Sequence, residues 1–204
     1  KVLSVINDDW SLTLKSMVND GKKLKPEALK DLSTMDDDYV KYFSGTAVYT
    51  NSFKIKEIPA GKRVILDLGE VYEMAKVKVN GKYAGGVWTA PYTLDITDVL
   101  KRGKNSIEIS VVNNWVNRLV GDSRVPEEKR KTSYVCRTYR PKSPLQKSGL
   151  TGPVRILTEY VRLKILFVTQ RRSVDASAYF ILRCVSCCHI MTYLICRPRI
   201  FPTH

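Results

Sequence analysis

Lys76-Val77-Lys78-Val79-Asn80-Gly81-Lys82-Tyr83 alternates charged and apolar residues and then breaks at an Asn-Gly pair. Successive side chains of an extended chain point to opposite faces, so Val77 and Val79 share one side and Lys76 and Lys78 the other. Asn80 and Gly81 tolerate the positive φ angles of a two-residue type I′ turn. The stretch predicts a β-hairpin with one buried and one solvated face.

Outward from this hairpin, short runs rich in Val, Ile, Tyr, Phe and Thr recur between turn residues. They predict strands at 10–14, 46–55, 63–68, 75–79, 82–87, 92–96, 106–112 and 154–158, the spacing of an all-β sandwich or barrel. Asp95 to Gly103 reads as a strand end followed by one helical turn. In that reading Thr97 is the N-cap, Asp98 faces the positive dipole end and Gly103 takes the left-handed C′ position. Residues 21–38 read as a long connection with a short helix at 27–32, and residues 122–144 as a second long, basic loop. Long loops on a sandwich are where binding residues sit.

The 204 residues are enough for one domain with its own core, and 44% hydrophobic residues exclude collagen and wholesale disorder. A net charge of +14 suggests a polyanion binder until it is divided by position. Residues 1–160 carry 27 basic and 19 acidic side chains, whereas residues 161–204 carry 7 and one. Cysteine divides likewise: Cys136 stands alone in the first part, while Cys184, Cys187, Cys188 and Cys196 crowd the second. Residues 1–160 therefore have no disulfide framework, which suits the cytoplasm or a disulfide-poor secreted protein. Lys1 is not a Met and no leader precedes the domain pattern, as in a processed or partial chain.

Several strings together resemble the sugar-binding jelly-roll domain of β-galactosidase-type glycoside hydrolases. They are Leu66-Asp67-Leu68-Gly69-Glu70-Val71, Ala75 to Lys82, Gly85-Gly86-Val87-Trp88, Pro91-Tyr92, Asp95-Ile96-Thr97 and Gly103-Lys104-Asn105. Three more, Tyr42 to Tyr49, Asn113 to Asp122 and Ser143 to Val154, are similar to the C-terminal β-sandwich of large bacterial α-L-rhamnosidases. The resemblance runs from about Trp10 to Ile156. It implies a galactose-binding-like, non-catalytic accessory domain over 1–160, packed on a catalytic barrel absent from this chain and contacting carbohydrate, with rhamnose-containing glycans as one possibility. It also implies calcium-assisted, inverting hydrolysis with acid and base in the barrel, and a periplasmic or secreted setting. Residues 161–204 lack the family pattern and read as a non-native, frameshifted or disordered extension.

Glycoside hydrolysis uses two carboxyls, about 5 to 5.5 Å apart for retention or about 6.5 to 9.5 Å for inversion. Asp67, Glu70, Glu73, Asp95, Asp98 and Asp36-Asp37-Asp38 all stand in structural contexts, so no catalytic pair is assigned. The candidate carbohydrate-binding set is Trp88, Trp115, Asn114, Asn117, Arg118 and Asp122. An indole offers a flat apolar platform to a pyranose, and neighbouring amides serve its hydroxyls. Trp88 either does this or closes one end of the core; Trp115 either contacts sugar or meets the barrel. Arg118 and Asp122 read as an exposed ion pair worth about 0 to 1 kcal/mol, orienting the loop or docking the barrel.

The alternatives are a stand-alone carbohydrate-binding module and a polyanion binder using Arg124, Lys129, Arg130, Lys131, Arg137 and Arg140. No nucleic-acid motif accompanies those cations, so a solvated loop is the plainer reading and no nucleic-acid partner is expected. Asp8, Asp9, Asp36, Asp37 and Asp38 are loop oxygens available to calcium, without EF-hand spacing. Cys184, Cys187, Cys188, His189 and Cys196 form a cluster rather than two spaced pairs, which argues against zinc as their role. Residues 179–196 are too polar for a membrane span.

Overall fold

In the computed structural model the chain divides into two units, Lys1–Tyr160 and Val161–His204. The structure describes residues 1–18, 21–57, 60–133, 138–160, 166–167 and 182–183. The strands of the first unit are β1 (Val2–Ile6), β2 (Ser11–Lys15), β3 (Lys22–Leu24), β4 (Thr46–Ile55), β5 (Lys62–Asp67), β6 (Glu70–Tyr72), β7 (Met74–Val79), β8 (Lys82–Val87), β9 (Thr93–Asp95), β10 (Gly103–Val112), β11 (Gly149–Gly152) and β12 (Val154–Tyr160). Helix α1 (Asp38–Lys41) precedes β4, and α2 (Val116–Ser123) follows β10. One sheet has the order β3-β2-β4-β10-β7-β8, a second β1-β12-β5-β9, and β6 pairs with β11. This is an all-β sandwich, one of the two architectures that the strand spacing predicts and the one that the jelly-roll resemblance implies.

The core follows from period-two alternation on facing strands. Ile107, Ile109 and Val111 of β10 point inward, opposite Val79, Val77 and Ala75 of β7. On its other side β10 sets Ile109 against Tyr49 and Val111 against Ala47 of β4. The second sheet answers with Val64 and Leu66 of β5 beside Thr158 and Ile156 of β12. Glu108, between two inward residues, faces out and pairs with Lys78 directly across the ladder at 3.0 Å.

The opening hairpin is present, with φ of 53° at Asn80 and 77° at Gly81, as a type I′ turn requires. Asn80 does more than turn the chain. Its Nδ2 donates to Val99 O (2.9 Å) and Asn105 Oδ1 (2.8 Å), and its Oδ1 accepts from Ser106 N (3.2 Å). Asn105 is buried; its Nδ2 donates to Lys101 O and Gly103 O, and its Oδ1 also accepts from Lys101 N. Two fully engaged amides thus tie the hairpin to the start of β10.

Three local expectations are corrected. The turn after β9 is a 3₁₀ turn, Thr97–Val99, whose N-cap is Ile96 and makes no side-chain cap bond. Thr97 Oγ1 is engaged elsewhere: it accepts from Val64 N (2.8 Å) and donates to Asp95 Oδ1 (2.6 Å). Gly103 has a φ of 90° but opens β10, because the turn has already ended at Leu100. The helix expected at 27–32 is a 3₁₀ turn, Leu32–Thr34, held by Asp31, whose Oδ1 accepts from Ser33 N and from distant Ser148 N. The loop expected from residue 122 starts inside α2 and includes a 3₁₀ turn at Glu127–Lys129.

In the second unit Leu166–Phe167 and Leu182–Arg183 pair antiparallel. The cysteine cluster and His189 lie outside the described residues, as do Cys136, Arg137 and all of 179–196 except Leu182 and Arg183. Among the described residues no helix is long and apolar enough to cross a membrane.

Truncating the centre of the inward row tests this core. Ile109→Ala is expected to cost about 2–5 kcal/mol in urea unfolding, and Glu108→Ala, on the solvated face of the same strand, about 1 kcal/mol or less. Equal losses would mean that the alternation is not what seals the sandwich.

Candidate functional site

The alternation that buries Val87, Ala75 and Val111 turns their neighbours outward. Met74 pairs with Val112, and Ala75 with Val87, so the next position, Trp88, continues the row beside Met74. Trp88 is 73% exposed, Met74 50% and Val112 39%, and Trp115, three residues beyond β10, is 45% exposed. Trp88 therefore does not close the core. That role falls to Trp10, whose ring meets Tyr49 edge-on at 6.4 Å and whose Nε1 donates to Ile6 O (3.3 Å).

Below Trp115 three chain segments are joined through amides. Asn113 Oδ1 accepts from Gly45 N, and its Nδ2 donates to Phe43 O and Ser148 Oγ, each at 2.8 Å. Asn114 Oδ1 accepts from Val116 N (3.0 Å), and its Nδ2 donates to Glu73 Oε1 (2.8 Å) and Gln146 Oε1 (2.6 Å) at the surface. Asn117 is buried: it donates to Gln146 O (2.7 Å) and accepts from Gln146 N (2.8 Å). Of these amides Asn114 borders solvent beside Trp115, whereas Asn117 faces protein. Glu73 and Gln146 belong to the same surface, and nothing local in their sequence marks them.

Arg118 and Asp122 are a pair, but not an exposed one. Asp122 is 0% exposed; Arg118 Nη2 lies 2.8 Å from its Oδ1, while Thr132 N (2.8 Å) and Thr132 Oγ1 (2.6 Å) donate to its Oδ2. Gly121 makes room for this, since a Cβ there would lie 2.7 Å from the Tyr42 ring and 2.8 Å from Arg118 Nη2. The clamp fastens the basic loop to α2 and with it the base of Trp115. Of that loop's cations, Arg124 stacks over Tyr42 at 5.4 Å and Arg130 faces Glu127 at 3.7 Å.

A second cluster gathers beside the amides. Tyr72 OH donates to Glu70 Oε2 (2.7 Å), and Lys147 Nζ lies 3.7 Å from the same oxygen and 5.5 Å from the Tyr72 ring centre. The Tyr72 hydrogen bond, then the Lys147 charge, hold the Glu70 carboxyl below the usual carboxylate range. Asp37 caps α1 by accepting from Tyr39 N, and the hydrogen bond from Lys22 lowers its pKa as well. Among the described residues no group of three or more His, Cys, Asp or Glu could hold a metal ion.

Two measurements follow. Removing one partner of a buried pair strands the other's charge, so Asp122→Ala is expected to cost about 3–5 kcal/mol in urea unfolding. A loss near 0.5 kcal/mol would return the pair to the exposed class. Asp37 has a depressed folded pKa, so its contribution is present above the ordinary value of 3.8 and is lost as pH falls through the lower, folded value. Asp37→Asn is accordingly expected to flatten the acid limb of the stability profile below about pH 4 and to leave its shape at neutral pH unchanged. An unaltered acid limb would rule that out.

Comparison with known proteins places this geometry. Residues 23–147 match the family described as glycosyl hydrolase 2 galactose-binding domain-like. The chain is 33% identical over 172 residues to a putative beta-glucuronidase of Formosa agariphila, covering 72% of this chain and 15% of that protein. A beta-glucuronidase of the same organism is 31% identical over 98 residues, 44% of this chain and 10% of its own length. The structure of a rhamnosidase from Novosphingobium sp. PP1Y matches with a TM-score of 0.71 at 37% identity, over 78% of this chain and 15% of that one. A beta-D-glucuronidase from Dictyoglomus thermophilum, at 20% identity and a TM-score of 0.53 over 87% and 31%, shares the fold. The chain thus spans a small fraction of each relative's length.

Proposed function

We propose that this chain, which belongs to the glycosyl hydrolase 2 galactose-binding domain-like family, is the non-catalytic accessory sandwich of an α-L-rhamnosidase-like glycoside hydrolase and packs on its catalytic barrel. The observation that carries this is the row Trp88, Met74 and Val112, adjacent in the sheet register, with Trp115 three residues beyond it, all of them exposed; other exposed apolar side chains, such as Val2, Met17 and Tyr160, lie outside this row. Contiguous exposed apolar residues, two of them indoles, are typical of a surface that another protein part covers. The 37% identity to a rhamnosidase over 78% of this chain supports the rhamnosidase-like assignment.

The carboxylates support a non-catalytic role. A general acid needs a pKa raised by its surroundings, whereas Asp37 and Glu70 are both lowered by donors and cations. Asp122 and Asp95 hold local structure through Thr132 and Thr97. Carbohydrate contact, where it occurs at the docking end, falls to Trp115 with Asn114, Glu73 and Gln146 around it, and Asn117, Arg118 and Asp122 support that surface from within. Charge does not favour polyanion binding: Arg118 is spent on Asp122, and Arg124 and Arg130 have partners within the domain.

Two results are expected. The isolated chain hydrolyses neither 4-nitrophenyl α-L-rhamnoside nor 4-nitrophenyl β-D-glucuronide; turnover by the purified chain would refute the accessory role. In hydrogen exchange, the amides at 73–74, 88–90 and 112–116 slow by about tenfold or more when this chain is joined to the catalytic barrel of a rhamnosidase-like relative. Unchanged exchange there would remove the docking face.

A further inference from the structure

At the corner between β5 and β6 the sandwich carries a cavity of about 360 Å³, whose lining includes Asp67, Glu70, Val71, Tyr72, Pro91 and Tyr92. One wall is the segment that follows Trp88, and the other is the β5–β6 turn. None of the residues in the sequence-derived candidate set lines it.

The groups facing the cavity are of two kinds. Tyr72, Pro91 and Tyr92 supply apolar faces. Asp67 and Glu70 supply carboxylates, which when ionised only accept hydrogen bonds. The cations that offset them, Lys147 on Glu70 (3.7 Å) and Arg155 on Asp67 (3.7 Å), are not part of the lining. The polar contacts of Glu70 fall on Oε2, from Tyr72 OH, Thr151 Oγ1 (3.4 Å) and Lys147, which leaves Oε1 to accept from a ligand. Asp67 Oδ1 accepts from Gly69 N (3.0 Å) and retains lone-pair capacity.

An acceptor-rich, ring-walled cavity selects a ligand rich in donors with an apolar flank. We propose that it is a subsite for a neutral pyranose, whose neighbouring hydroxyls donate to Asp67 and Glu70 while its C–H face lies against Tyr92 and Pro91. The volume lies toward the lower end of small-molecule sites, about 300–1,000 Å³, which suits one sugar ring and its glycosidic neighbour. A uronate is disfavoured, because its carboxylate adds acceptors beside two carboxylates whose offsetting cations lie outside the lining. This rests on the chain serving a carbohydrate-active enzyme but not on the docking row, so either can fail without the other.

The test is an NMR titration of the ¹⁵N-labelled 204-residue chain with L-rhamnose, D-galactose and D-glucuronate. At least one neutral sugar is expected to shift the amides of Gly69, Glu70 and Tyr92 saturably, with a Kd of about 1–10 mM. D-Glucuronate is expected to bind about tenfold more weakly or not at all. Glu70→Gln and Asp67→Asn keep the shape and remove one charge each, and each is expected to weaken the neutral sugar about fivefold in a chain whose other resonances are unmoved. Three results would overturn the subsite: no saturable shift with either neutral sugar up to about 100 mM, glucuronate binding as tightly as the neutral sugars, or shifts confined to Trp115. The last would leave sugar contact at the docking end intact. If either variant fails to fold, the contrast between neutral sugars and glucuronate in the unmodified chain still decides.

Discussion

Strand β10 is held on both sides, by β4 over its full length and by β7 from Ile107 to Val112, and every other element takes its place from that double ladder. A one-residue slip on either side would turn Glu108 into the core and Ile109 into water, so burial fixes the register. β4 then carries Tyr49 to the place where Trp10 packs on its ring and Leu150 N donates to its hydroxyl at 3.2 Å. Burial pushes that phenol up to about 12, which keeps it a neutral hydroxyl in the closed core.

The surface is the other half of the same alternation. Val87, Ala75 and Val111 occupy inward positions, so Trp88, Met74 and Val112 face outward in a row that the sheet's register sets. Trp115 lies past the sheet and depends on separate support. The amides of Asn113, Asn114 and Asn117 and the buried Arg118–Asp122–Thr132 clamp provide it. The proposed docking row and the core are consequently coupled, and a change in the clamp reaches the indole without touching it.

Specificity sits elsewhere. Sandwiches of this kind occur in enzymes named for different sugars, as the rhamnosidase and glucuronidase relatives show, so the fold does not choose the ligand. The choice lies in the lining of individual surfaces. At the β5–β6 corner, where a subsite is proposed, that lining includes two carboxylates and two tyrosines.

Much of the framework was legible without coordinates. The 46–55 and 82–87 strands and the Asn80-Gly81 turn coincide with β4, β8 and the hairpin, because period-two alternation and positive-φ tolerance are properties of neighbouring residues. Strands β1, β3, β6 and β11 were not legible: at three to five residues they are too short to establish a period, and pairing with distant partners defines them. The site divides the same way. Trp115 and Asn114 were found as types suited to a sugar, but that Asn117 and Asp122 are buried, that Trp88 is not, and that Gln146 meets Asn117 are facts about partners 10 to 32 residues apart or about a sheet's register. The sequence by itself determined the sandwich, its hairpin and the family. Only the tertiary structure decided which polar side chains face the protein and which face solvent, because that depends on the groups a fold brings opposite one another.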